Sequence, residues 1–141
     1  MAYPTILHRW FEEVWSQGNE SVVDELLAPD GIIHRLDESG TEARGPEQFK
    51  PFLRRMLAAF PDMRVTVEDY IEQGDKIAAR WSVRMTHHGE GLGILPTGRT
   101  VNITGMSFGR VSKGQLQEGW NNWDVHSMLE QIGSLPKTPN P

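Results

Sequence analysis

Hydrophobic residues in the first part of the chain recur at intervals of three and four, which is the spacing of an amphipathic helix. Residues 5–16 follow this pattern and predict a first helix, with Thr5 as its N-terminal cap. A shorter apolar group at residues 22–27 predicts a second helix. We expect this helix to end before Pro29, because proline disfavours helical geometry in the residue that precedes it.

The next segment is short and β-branched, and the helical spacing then returns. Residues 31–36, GIIHRL, predict a first strand. A third helix is predicted from Pro46 to Phe60, because proline suits the first helical turn and an apolar stripe follows it. Pro51 lies inside this segment, so the sequence predicts either a kink there or a regular helix that begins there.

Beyond Pro61 the pattern changes to an alternation of apolar and polar residues. It predicts strands at residues 63–71, 77–88, 99–111 and 115–125. His126–Ile132 then predicts a short closing helix. Three helices followed by strands in hairpins are typical of an α+β domain. We expect a conical α+β barrel, in which the three helices cover the concave face of a curved, mostly antiparallel sheet and leave a cavity.

The last predicted strand, residues 115–125, mixes aromatic and ionisable side chains on one face. Simple alternation places on that face Leu116, Glu118, Trp120, Asn122 and Asp124. The opposite face would carry Gln117, Gly119, Asn121, Trp123 and Val125. Apolar bulk beside ionisable groups indicates the wall of a small-molecule pocket, in which Trp120 and Asn122 would contact the ligand.

Other elements are expected to complete this pocket. Strand 77–88 should turn one face towards the helices, and the glycine-rich loop at residues 89–98 should form a rim over the cavity mouth. The side chains that we expect to contact the ligand from the helices, this strand and this loop are Trp15, Phe52, Trp81, Met85 and Leu92.

Asp124 is the candidate acid or base of the pocket. Partial burial between Trp120 and Trp123 would raise the pKa of its carboxyl group towards the range that is useful for proton transfer. The alternative is that Asp124 caps the helix that follows it, although Ser127 and Glu130 offer that helix a capping box of their own.

Two histidines are further candidates. His87 shares the helix-facing side of its strand, and His34 lies within the first strand. Each suits a hydrogen bond to a substrate oxygen, and each suits equally a structural role with one internal hydrogen bond. His87 and His88 point to opposite faces of a strand, so we expect no metal site at Thr86–Glu90.

Composition excludes several classes of function. The 141 residues include no cysteine, which excludes disulfides, thiolate metal ligands and a cysteine nucleophile. The formal charge of −5 argues against nucleic acid as a partner, and no apolar run has the length of a membrane span. We expect a single cytoplasmic domain at residues 1–133 and a loose tail at residues 134–141.

Six segments together resemble a known family. In chain order they are RWFEEVWSQGN, VVDELLAPDG, RGPEQF, AAFPDMRVTVED, AARWSVRMTHHGEGLGILPTGR and EGWNNWDVHSMLEQIG. Through these segments, over about residues 6–133, the chain is similar to the SnoaL-like polyketide cyclases of the nuclear-transport-factor-2-like superfamily.

The resemblance implies a cone-shaped fold, a homodimer assembled through the sheet, and ring closure by intramolecular aldol condensation without metal or cofactor. It also implies site residues. The carboxylate on the family's last strand matches Asp124, and the histidine of its T-H-x-G segment matches His87. His34 lies where the family's first strand often carries a histidine or an asparagine.

We therefore predict a cofactor-independent enzyme that acts on a small hydrophobic carbonyl compound. Asp124 would move the proton, and His87 or His34 would bind the developing enolate oxygen. A hydrolase, dehydratase or isomerase on the same scaffold is the alternative among enzymes. A non-catalytic binder of a hydrophobic ligand is the alternative outside them, because a fold does not decide a function.

Overall fold

The computed structural model describes residues 5–37 and 39–134. The tail predicted at residues 134–141 therefore lies outside the described residues, except for Ser134. None of the helices within the described ranges is both long enough and apolar enough to cross a membrane.

Four helices lie in the described part of the chain. They are α1 (Ile6–Arg9), which continues as the π-helical segment Trp10–Ser16, α2 (Glu20–Leu26), α3 (Gly45–Ala59) and α4 (Val125–Gln131). Thr5 caps α1, because its side chain accepts a hydrogen bond from the backbone N–H of His8. α3 runs through Pro51 and is assigned as one helix, so the regular part does not begin at that proline.

Among the described residues, six strands form one sheet in the order β2-β1-β6-β5-β4-β3. Their bounds are β1 (Leu27–His34), β2 (Ala43–Arg44), β3 (Arg64–Gln73), β4 (Lys76–Thr86), β5 (Thr100–Ser112) and β6 (Gln115–Trp123). Neighbouring strands are antiparallel except β1 and β6, which are parallel. The predicted α+β class is confirmed, and the sheet is open rather than closed into a barrel.

The helices pack on one face of the sheet, which we call the inner face. Trp10 packs against Phe49 of α3 with ring centroids 4.9 Å apart, and Phe11 packs against Trp81 of β4 at 5.4 Å. These contacts belong to one cluster of buried hydrophobic side chains that draws on both helices and strands. A single core therefore joins the two layers, and the cavity described below lies within it.

A β-bulge in β6 changes which residues of that strand face the helices. Val111 pairs with Leu116, but its neighbour Arg110 pairs with Glu118, so Gln117 is an extra residue on β6. Leu116 stays buried, and after the bulge the inner face carries Gly119, Asn121 and Trp123. Glu118, Trp120 and Asn122 turn to the opposite, outer face. The predicted single face from Leu116 to Asp124 is therefore wrong, because alternation fails at a bulge.

The outer face of the sheet exposes large apolar side chains. Met106 is 63% exposed, Phe108 is 40% exposed and Trp120 is 37% exposed. The rings of Phe108 and Trp120 pack edge to face, with their centroids 5.8 Å apart. Contiguous exposed apolar surface of this kind is typical of a protein–protein contact.

We expect this outer face to be covered by a second copy of the chain. Sedimentation equilibrium at micromolar concentration should then give twice the chain mass of 16.0 kDa. Met106→Arg should shift the species to a monomer, because it places a charge in the apolar contact. Leu95→Arg is the matched control, since Leu95 is 75% exposed but belongs to a loop. A 16.0 kDa species alone would contradict the prediction.

Candidate active site between the helices and the sheet

The inner face of the sheet and the helices enclose a cavity with a predominantly apolar lining, which we call the inner cavity. The space within it, including the part open to solvent, is about 570 Å³. Its lining side chains are Trp10, Phe11, Trp15, Ile33, Arg35, Leu36, Phe49, Phe52, Met56, Met63, Val65, Trp81, Val83, Met85, Asn121 and Trp123. One guanidinium and one amide are the strongly polar groups of this lining, which suits a hydrophobic ligand with a few oriented polar atoms.

A second compartment adjoins the inner cavity at Phe52, Met56 and Trp123, which line both spaces. We call it the outer compartment. Its other lining residues come from α3, from the loop after β4, from α4 and from the loop after β1, and they are Asp37, Arg55, Gly91, Leu92, Gly93, Ile94, Val125, Met128 and Leu129. A ligand in the inner cavity would reach solvent past this mixed apolar and charged surface.

A chain of hydrogen bonds fixes the polar side of the inner cavity. The indole N–H of Trp81 donates to Ser107 Oγ at 3.0 Å, and Ser107 Oγ donates to Asn121 Oδ1 at 2.6 Å. Asn121 Nδ2 in turn donates to the backbone carbonyl of His34 at 3.0 Å. Nδ2 carries a second hydrogen, for which no partner is present among the described residues. Asn121 is thus held in place and keeps a donor for a ligand.

Arg35 lines the inner cavity from a strained position at the end of β1. Its φ of 58° lies in the left-handed region, which costs about 1–2 kcal/mol for a residue with a Cβ. The backbone carbonyl of the preceding residue, His34, accepts a hydrogen bond from Asn121. The backbone carbonyl of the following residue, Leu36, accepts one from the indole N–H of Trp123 at 3.1 Å. Two cavity side chains therefore clamp the backbone on both sides of Arg35, whose side chain is exposed, and such enforced strain is typical of functional sites.

Asp37 is the carboxylate of the outer compartment. Burial alone would raise its pKa, but hydrogen bonds from the hydroxyl and backbone N–H groups of Ser39 and Thr41 outweigh this and lower the pKa to about 2. Asp37 is therefore ionised at every ordinary pH. The same hydrogen bonds make it a weak base.

The structure does not bring Asp124 to the inner cavity. Asp124 is exposed and caps α4, where Oδ1 accepts a hydrogen bond from the backbone N–H of Ser127 at 3.0 Å. This bond lowers the pKa of the Asp124 carboxyl. Burial between Trp120 and Trp123, which was the basis for predicting a raised pKa, does not occur, because the Asp124 side chain is exposed where it caps α4.

The capping role predicts how two Asp124 variants should behave. Asp124→Ala should lower the free energy of unfolding by about 1 kcal/mol, whereas Asp124→Asn should lose much less, since asparagine caps almost as well. Because folding lowers the pKa of Asp124, its ionised carboxylate stabilises the folded protein at any pH above the unfolded pKa near 3.9. This stabilisation is lost as the pH falls through the folded pKa. Denaturant unfolding at pH 7 and pH 3 measures both effects. Equal loss in the two variants would contradict capping.

His87 is fully buried at the base of the loop between β4 and β5. Its Nδ1 is 3.2 Å from both the backbone N and the Oγ1 of Thr97, its ring packs against Phe60, and its Nε2 has no hydrogen-bond partner in the described residues. Burial lowers the pKa of His87 and favours the neutral ring. His87 is not among the residues that line the inner cavity or the outer compartment, and it ties the two ends of this loop together.

His34 projects from the other face of the sheet. Its Nε2 is 2.7 Å from Glu118 Oε2 and its Nδ1 is 3.2 Å from Glu42 Oε1. The ring stacks on Trp120 with centroids 5.4 Å apart. His34, Trp120 and Asn122, which were predicted to act on the ligand, thus lie on the outer face. Asn122 and Asp124 line one groove there, together with Arg80 and Met106, but His34, Trp120 and His87 do not line it.

Five predicted ligand contacts do lie in the two spaces. Trp15, Phe52, Trp81 and Met85 line the inner cavity, and Leu92 lines the outer compartment. Sequence reasoning missed Arg35 and Asn121. Alternation along β6 would have placed Asn121 on the inner face if the bulge had been known. The sequence gives no sign of the backbone strain at Arg35. Within residues 5–37 and 39–134, no three histidine, aspartate or glutamate side chains are grouped as metal ligands.

Comparison with known proteins gives a consistent family and fold. The family model described as SnoaL-like polyketide cyclase matches residues 5–132. A comparison with curated protein sequences found no significant match.

Three solved structures illustrate the similarity. IdmH from Streptomyces antibioticus, a candidate polyketide cyclase, is 33% identical with a TM-score of 0.77, and the match covers 91% of this chain and 96% of IdmH. AclR from Streptomyces galilaeus, a candidate hydroxylase, is 26% identical with a TM-score of 0.75, and the match covers 92% of this chain and 83% of AclR. A protein with a ketosteroid isomerase-like fold from Catenulispora acidiphila is 21% identical with a TM-score of 0.78, covering 98% and 100%, and shows the fold alone.

Proposed function

Because the chain belongs to the SnoaL-like polyketide cyclase family, we propose that it closes a ring in an apolar, carbonyl-containing small molecule held in the inner cavity. The observation that carries this proposal is the pairing of an aromatic cavity with one pre-positioned cation, Arg35. The apolar walls would fold a flexible chain so that its reacting carbons approach each other, which lowers the entropic part of the barrier.

Arg35 and Asn121 supply the electrostatic part of the proposed reaction. In an aldol closure, a proton leaves the carbon next to one carbonyl, the enolate carbon attacks a second carbonyl, and the resulting alkoxide takes up a proton. Negative charge thus develops on carbonyl oxygens. We assign the stabilisation of this charge to the Arg35 guanidinium, which is exposed at the edge of the cavity, and to the second N–H of Asn121 on the cavity wall.

The described residues include no well-placed general base for the removal of the proton. Asp124 lines neither space, and Asp37, the carboxylate of the outer compartment, has a pKa of about 2. A general base works best when its pKa lies near the working pH, so Asp37 is poorly suited to remove a proton from carbon, and a donor at the enolate oxygen acts by making the neighbouring C–H bond more acidic. In the proposed reaction the apolar wall therefore folds the substrate, Arg35 stabilises the negative charge, and the proton leaves to solvent.

A second candidate function is the binding of a hydrophobic ligand without catalysis. It is favoured by one observation, that the inner-cavity lining includes neither a carboxylate nor a histidine among the described residues. Binding needs the cavity alone, whereas ring closure also needs a route for the proton.

One experiment separates these functions. The probe is a linear diketone with a phenyl terminus that closes to a cyclohexenone by aldol condensation. Binding is followed through the fluorescence of the cavity tryptophans, and ring closure through NMR and mass spectrometry. The cyclase proposal expects binding with closure faster than in buffer and than with heat-denatured protein. Binding without acceleration indicates the binder, and no binding overturns both proposals.

A further inference from the structure

We infer that the ligand of this cavity is an anion at one end, namely an apolar free carboxylic acid whose carboxylate lies at the outer compartment against Arg55. The inference deepens the proposed function and rests on it, because it assigns the apolar body of the same ligand to the inner cavity. It adds a class of substrate that the cavity lining alone does not indicate.

Arg55 provides the first observation. It lines the outer compartment, and its Cζ lies 5.8 Å from the ring centroid of Phe52, which is one of the side chains that border both spaces. The neighbouring Arg54 forms hydrogen bonds of 2.9 and 2.6 Å to Glu20. The ion pairs among the described residues include neither Arg55 nor Arg35. Arg55 thus keeps its five N–H donors for water or a ligand while its cation rests on an aromatic face.

Arg35 provides the second observation, because it approaches the same region from the sheet side. Its Nη1 would lie 3.8 Å from a Cβ placed at Gly40, so its guanidinium lies beside the loop that carries Asp37. It lines the inner cavity as well. A ligand that runs from the inner cavity to solvent would therefore pass one cation and meet a second at the exit.

The charge balance at this exit decides the sign of the ligand. Asp37 opposes the two arginines, but its oxygens are engaged by Ser39 and Thr41. The charged residues that line the outer compartment are Asp37 and Arg55, and the exposed Arg35, beside the loop that carries Asp37, adds a second guanidinium to this region. A guanidinium group binds a carboxylate in a bidentate manner, so a carboxylate is the ligand group that Arg55, unpaired among the described residues, fits.

This substrate class has a consequence for the reaction that precedes binding. A free acid arises from an ester or thioester by hydrolysis, which transfers water to the acyl carbon and releases the alcohol or thiol. We therefore place a hydrolytic release before the step performed here, so that the molecule arrives with its carboxylate exposed.

The test compares 6-phenylhexanoate with its uncharged amide, which has the same length and apolar body. Both are titrated at low salt into the wild type and into Arg55→Met, with binding followed by tryptophan fluorescence. Wild-type protein should bind the acid about tenfold more tightly than the amide, and Arg55→Met should weaken acid binding about fivefold while leaving amide binding unchanged. Added salt should reduce the preference for the acid.

Arg54→Met is the matched control, because it removes the same charge from the adjacent residue, which is paired with Glu20. It should leave the preference for the acid intact. Equal affinities of wild type for acid and amide would overturn this inference and leave the cavity proposal standing. Equal losses in the two arginine variants would overturn it too, since long-range charge would then explain the preference. Binding of neither probe would overturn the proposed function itself.

Discussion

Replacing Arg35 with methionine is expected to slow ring closure of the linear diketone by about a hundredfold or more, which is the loss typical for one oxyanion donor. Methionine keeps the apolar length of the side chain and removes the charge that stabilises the enolate and alkoxide oxygens. The measurement is kcat under saturating probe, together with KM. A loss in kcat with little change in KM would show that Arg35 acts mainly on the transition state.

Arg35→Gly separates this role from a structural one. Glycine adopts a positive φ without the steric penalty that Arg35 bears at 58°. We therefore expect Arg35→Gly to lose activity as Arg35→Met does while matching or exceeding the wild type in unfolding free energy. A strained residue that is dispensable for stability but needed for turnover is the pattern of a functional site. Wild-type kcat in either variant would remove Arg35 from the mechanism.

The helices and the alternating strands could be predicted from the sequence because they depend on local patterns. Apolar spacing identified the helices, and alternation correctly placed Trp81 and Met85 on the inner face of β4. It failed in β6, where Gln117 is an extra residue that no local signal marks. From that bulge onward every side chain exchanged faces, and this is why Trp120 and Asn122 were predicted in place of Asn121 and Trp123.

Arg35 could not be found in the sequence for a different reason. Its backbone is fixed by two hydrogen bonds from β6, and each joins residues 87 positions apart in the chain. The conformation that aims the guanidinium therefore exists only after the sheet has assembled. Asp124 is the opposite case. Its capping hydrogen bond to Ser127 is local, so the sequence could offer capping as one of two alternative roles for this residue.

The shape of the inner cavity depends on Gly105, and Gly105→Ala is expected to lower stability by about 1–3 kcal/mol and to abolish most probe binding. A Cβ at this inward-facing position would lie 2.4 Å from Cζ2 of Trp81 and 2.9 Å from Cβ of Trp123. The Trp81 ring must therefore move away from β5, which breaks its bond to Ser107 and pushes it into the cavity. Thermal unfolding and fluorescence titration of the phenyl diketone measure the two effects.

Gly119→Ala tests whether the effect belongs to the tryptophans rather than to any glycine on this face. Gly119 also lies on the inner face of the sheet, but a Cβ there would first meet Cδ1 of Ile33 at 3.2 Å, the flexible end of an aliphatic side chain. The Gly119→Ala variant should bind the probe with nearly wild-type affinity and lose little stability. If both alanine variants bound equally well, Trp81 would not set the width of the cavity. If both lost binding to the same degree, the sheet as a whole, and not the contact between Gly105 and Trp81, would control access.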